Sequence, residues 1–108
     1  MDHIYTVCQG KYQICTSLVE MRMSHWVNTF MIREADTYKP VLDPTSIDLD
    51  LESHREEGNQ LFLNFRIYPN GSKSYRLIVD FESDKIIYEG HLYDYNSIDS
   101  IISKLRNK

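Results

Sequence analysis

Near the end of the chain, His91 alternates with Glu89 and Tyr93. An imidazole, a carboxylate and a phenol on one strand face are groups that general acid and base catalysis employs, provided that they meet at hydrogen-bond distance. The same alternation arises wherever a strand face meets solvent. Glu89 and His91 therefore mark a candidate small enzyme or ligand-binding site. The other histidines, His3, His25 and His54, show no ligand or dyad spacing with one another, with cysteine or with a carboxylate. Ordinary polar or partly buried side chains account for them.

Asp48, Asp50 and Glu52 imitate the opening of a calcium loop, but the required glycine and the distant glutamate are missing in register. Gly10, Gly58, Gly71 and Gly90 stand alone, so no glycine-rich loop cradles a phosphate. No Ser or Cys occupies a recognisable nucleophile elbow. No cofactor, no metal and no catalytic motif is expected. Cys8 and Cys15 lie seven residues apart; on a helix that separates them by about 10.5 Å, too far for a disulfide. They are expected to be reduced and buried. Asn70-Gly71-Ser72 matches a glycosylation acceptor and is read as a turn.

The most pointed chemical feature is acidic. Between Asp43 and Glu57 stand Asp43, Asp48, Asp50, Glu52, Glu56 and Glu57 against a single basic residue, Arg55. Ile47 to Glu52 alternates strictly between apolar and acidic residues, so a strand there projects Asp48, Asp50 and Glu52 from one face at intervals of about 6.7 Å. Such a ladder is either a solvated sheet edge that discourages aggregation or a negative surface that steers a basic protein into place. On the second reading Asp48, Asp50, Glu52, Glu56 and Glu57 form the partner-binding site. Sixteen acidic residues against twelve Lys and Arg leave a net charge of −4, which argues against general affinity for nucleic-acid backbones.

These residues need elements to hold them. The apolar positions Ile4, Val7, Cys8, Tyr12, Cys15, Leu18 and Val19 recur at spacings of three and four, which predicts a helix capped by Asp2. Gly10 and several β-branched residues oppose it, and a short strand followed by a short helix is the alternative. Trp26 to Arg33 reads as a strand, and residues 36–45, with Pro40 and Pro44, as a loop. Ile47 to Glu52 is a strand in preference to a helix starting at Asp43-Pro44. His54 to Asn59 is a polar turn, and Leu61 to Tyr68 a strand.

The turn Tyr68-Pro69-Asn70-Gly71 suits a type I turn followed by a bulge. That geometry pairs Phe65 with Tyr75, Leu63 with Leu77 and Leu61 with Val79 on one face. Ile86 to Tyr93 adds a further strand, and Ile98, Ile101, Ile102 and Leu105 have the spacing of an amphipathic helix capped by Asn96 or Ser97. The expected fold over residues 1–108 is a single α+β domain: an antiparallel sheet of about five meandering strands with an N-terminal and a C-terminal helix. No apolar run is long enough to span a bilayer and the N-terminus lacks a secretory pattern, so a cytoplasmic location is expected.

The acidic Ile47-to-Glu52 ladder and the tyrosines Tyr68, Tyr75, Tyr88, Tyr93 and Tyr95 give the chain an overall likeness to bacterial immunity proteins. It resembles particularly those that neutralise toxins of contact-dependent growth inhibition or polymorphic toxin systems. The resemblance implies a basic, nuclease-type toxin as partner, its active site covered by the immunity protein, and no enzymatic activity. Another interaction module, such as an adaptor or a phage-encoded antagonist, shares the same physics of a charged docking face.

Overall fold

The computed structural model describes residues 2–20, 26–44, 49–68 and 73–106. It is mostly β, which corrects the expected α+β class: among the described residues two antiparallel sheets carry one short C-terminal helix and no N-terminal helix.

The N-terminal segment is a hairpin. Strands β1 (Asp2–Val7) and β2 (Tyr12–Glu20) pair with Val7 opposite Tyr12. Between them Cys8, Gln9 and Gly10 all take positive φ, and the Lys11 N–H donates to the Cys8 carbonyl at 3.1 Å. The helical spacing was coincidental. Ile, Tyr, Thr and Val are dense in both segments and favour a pleated surface, while Gly10 inside a helix would cost about 1 kcal/mol. The cysteines therefore share no helix: Cys8 is buried in the turn and Cys15 is half-buried on β2.

Strand β3 (Trp26–Glu34) lies where its aromatic and β-branched content placed it and pairs with β2 throughout. The expected loop after it contains a short edge strand, β4 (Pro40–Leu42), which puts Leu42 opposite Ile32. Proline is admissible there because it opens an edge strand, where a missing N–H costs little. The first sheet has the order β1-β2-β3-β4.

The second sheet is a five-stranded meander of β5 (Leu49–Glu57), β6 (Gln60–Ile67), β7 (Tyr75–Asp80), β8 (Lys85–Tyr88) and β9 (His91–Asp94). Phe65 faces Tyr75, Leu63 faces Leu77 and Leu61 faces Val79, the register expected from turn chemistry and alternation. The turn residues 69–72 themselves lie outside the described residues. Two expectations are corrected. The polar turn at His54 to Asn59 is mostly strand, because β5 continues through a bulge to Glu57 and turns only at Gly58-Asn59. The single strand from Ile86 to Tyr93 is two strands, folded back at Glu89-Gly90, both with positive φ.

After one turn of 3-10 helix at Tyr95–Ser97, helix α1 (Ile98–Arg106) follows its amphipathic spacing and buries Ile98, Ile101, Ile102 and Leu105. These join one hydrophobic cluster with Ile14, Ile32 and Leu42 of the first sheet and Leu61, Leu63, Phe65 and Leu77 of the second. The Tyr12 and Phe81 rings stack at 4.1 Å and tie the two sheets together. Among the described residues no helix is long and apolar enough to cross a membrane.

Candidate functional site

The acidic stretch is divided by the bulge of β5. Leu51 faces Phe65 but the next pair is Ser53 with Asn64, so Glu52 is the inserted residue and the alternation reverses after it. Asp50 and Glu52 come together around Arg66. The Asp50 carboxylate accepts from Arg66 Nη2 at 3.1 Å, and Glu52 Oε2 lies 3.6 Å from Arg66 Nε. Asp50 also accepts the Asn28 backbone N–H at 3.0 Å, joining β3 to β5, and Glu52 accepts from the Ser74 hydroxyl at 2.6 Å.

Glu56 points to the opposite face, paired across from the buried Leu61, and accepts the backbone N–H of Cys8. It caps the β1–β2 turn. Burial, and then the Glu56 carboxylate, raise the Cys8 thiol pKa, so Cys8 stays protonated. Glu57 forms an exposed pair with Arg55 at 2.6 Å. Asp48 lies outside the described residues. Of the four proposed contact residues that are described, the structure thus brings together Asp50 and Glu52 and sets Glu56 and Glu57 apart.

A second feature adjoins this pair. Register and alternation put Tyr5, Leu18 and Trp26 on the core-facing side of the first sheet, with Ile14, Thr16, Asn28 and Phe30. Beyond Phe30 that side emerges into solvent: Tyr5, Leu18 and Trp26 are 41%, 44% and 56% exposed. Tyr5 packs on the His54 ring with centroids 4.6 Å apart, and Thr16, Asn28, Glu52 and His54 help line a cleft of about 310 Å³ beside it. Burial lowers the His54 pKa and favours the neutral imidazole. Sequence reading passed over these three side chains. The signal available was that Leu18 and Trp26 are apolar while their cross-strand partners, Asn28 and Glu20, are polar.

The trio Glu89, His91 and Tyr93 is arranged differently from a strand face. Glu89 occupies the β8–β9 turn, while Tyr88 and His91 form a cross-strand pair on the same side as Ile86 and Tyr93. All four chemistry-bearing residues, Tyr88, Glu89, His91 and Tyr93, line a pocket of about 310 Å³ whose other wall is α1. Burial, then the neighbouring Glu89 carboxylate, raise the Tyr88 pKa. Among the described residues no group of three His, Cys, Asp or Glu side chains is placed to hold a metal ion. No protein-family model, curated protein or solved structure matches the chain.

Proposed function

We propose that this chain is a cytoplasmic, non-enzymatic binding protein of the immunity type, which neutralises a basic, nuclease-type bacterial toxin by covering its active site. The grip is the face formed by Tyr5, Leu18 and Trp26, with Asp50 and Glu52 at its border. The observation that carries this reading is the exposure of those three side chains on one side of one sheet. Large apolar side chains left exposed along one side of a sheet are a cost that folding does not require. Trp and Tyr are also the residue types that most often anchor protein interfaces.

Electrostatics favours a basic partner. The chain carries a net charge of −4, which steers association with a positive surface. Asp50 and Glu52 share one guanidinium, that of Arg66, so the pair retains negative charge beside this side of the sheet, Asp50 at Asn28 and Glu52 at the cleft that Tyr5 lines. Glu56 and Glu57 fall outside this face. Glu56 serves the fold, and Glu57 contributes only to the general field.

Coexpression with the protein encoded by the neighbouring gene tests the reading, because an immunity protein is expected beside its toxin. The neighbour alone should arrest growth, and the wild-type chain should restore it. The double variant Leu18→Ser, Trp26→Ala should remain folded, with its unfolding free energy changed by about 0.5 kcal/mol or less per exposed site, yet lose protection. A harmless neighbour, or full protection by the double variant, overturns the proposal.

A further inference from the structure

We propose that the pocket between α1 and the β8–β9 hairpin binds a small zwitterionic aromatic molecule of the α-amino-acid type. This site shares no residue with the docking face. Its volume of about 310 Å³ falls at the small end of the range in which proteins hold organic ligands, roughly 300–1,000 Å³.

The two walls differ in chemistry. From the hairpin, Tyr88 and Tyr93 present half-buried phenol rings, against which a flat ring can stack. At the hairpin tip the exposed Glu89 carboxylate lines the same pocket and offers an acceptor for an ammonium group. From the helical side, Ser97, Ser100 and Lys104 follow one another at spacings of three and four and line the same pocket. They present two hydroxyls and an ammonium, a row of donors suited to a carboxylate. Ile101 and Leu105 of the same helix line the pocket as well and supply apolar contact.

A ligand with an ammonium, a carboxylate and an aromatic ring satisfies all three features at once. A ligand with only one charge can engage either Glu89 or Lys104 but not both. The turn adds support, because Glu89 has φ 51 ahead of Gly90 with φ 80. Asn, Asp and Gly suit such a two-residue hairpin turn, whereas glutamate gains nothing there conformationally. A carboxylate on a longer arm, able to reach over the pocket, accounts for its presence.

The test uses the full chain and three probes: L-phenylalanine, phenethylamine, which lacks the carboxylate, and 3-phenylpropanoate, which lacks the ammonium. Binding is followed through the ring NMR resonances of Tyr88 and Tyr93. L-Phenylalanine should give saturable shifts, and each analogue should bind about two- to fivefold more weakly for the loss of one solvent-exposed charge contact. Lys104→Met should erase the preference over phenethylamine. Glu89→Asn should erase the preference over 3-phenylpropanoate while raising the unfolding temperature, since Asn suits the turn. No saturable shift with any probe, equal affinity for all three, or preferences unmoved by both variants overturns the site. Because the docking face is elsewhere, such a failure leaves toxin protection by the wild-type chain unaffected.

Discussion

Strand β5 presents two environments on one face. Before the bulge Leu49 and Leu51 point into the core opposite Ile67 and Phe65; after it His54 and Glu56 take the inward positions opposite Leu63 and Leu61. One inserted residue, Glu52, converts a dry strand into a wet one. The polar half is tolerated because the first sheet meets it with suitable groups: the Tyr5 ring against His54 and the Cys8 N–H against Glu56. Side chains that close the core and side chains available for recognition are thus separated along one strand, so their contributions can be measured apart.

The dry side should respond most strongly. It runs from Leu51 through Leu63 and Leu77 to Ile102, the helix residue most deeply buried. Ile102→Ala should lower the unfolding free energy by about 2 to 5 kcal/mol, through lost burial and the cavity left behind. Equilibrium denaturation measures it. A loss of under about 0.5 kcal/mol would mean that α1 is peripheral and that the core is confined to the sheets.

At the boundary the expected effect is intermediate. Asp50 accepts from the Asn28 backbone N–H and from Arg66, so Asp50→Ala leaves two donors without this acceptor at the join between β3 and β5. A cost of about 1 to 3 kcal/mol is expected, with Asp50→Asn costing less because the amide oxygen can still accept from Asn28. Equal losses in the two variants would show that charge, and not the backbone contact, is what Asp50 supplies.

The two sides also differed in how far the sequence disclosed them. On the dry side, alternation at Leu61, Leu63 and Phe65 and the spacing of Ile98, Ile101, Ile102 and Leu105 each admit one arrangement, and both are found. At the N-terminus Ile4, Val7 and Cys8 satisfy a helical spacing while their residue types favour strands, and only pairing with β3 decides between them. The bulge had no local signature, since polar residues fill both faces of β5 after Glu52. Its effect on Glu56 followed from a register that the sequence does not encode locally. Glu89, His91 and Tyr93 were picked out by alternation and do line one pocket, but a tight turn places Glu89 there, not a strand face.

The smallest expected effect belongs to the wet side and depends on pH. Desolvation lowers the His54 pKa from its ordinary value of 6.5, so in the window just below 6.5 the unfolded chain binds a proton that the folded chain declines. Stability should therefore rise with pH across that window and level off above it, and be lost as pH falls from 6.5 toward the folded value. His54 is only half-buried, beside Tyr5 and near Glu52, so solvent screens the effect and its size will be modest. The measurement is the difference in urea midpoint between about pH 7.5 and about pH 5, for the wild type and for His54→Gln. Every other group is common to the two proteins, so the subtraction isolates His54. The wild type should lose more stability on acidification than the variant. Equal losses would mean that His54 is solvated in the folded chain as in the unfolded one, and that the polar half of β5 is open to water rather than closed by the Tyr5 ring.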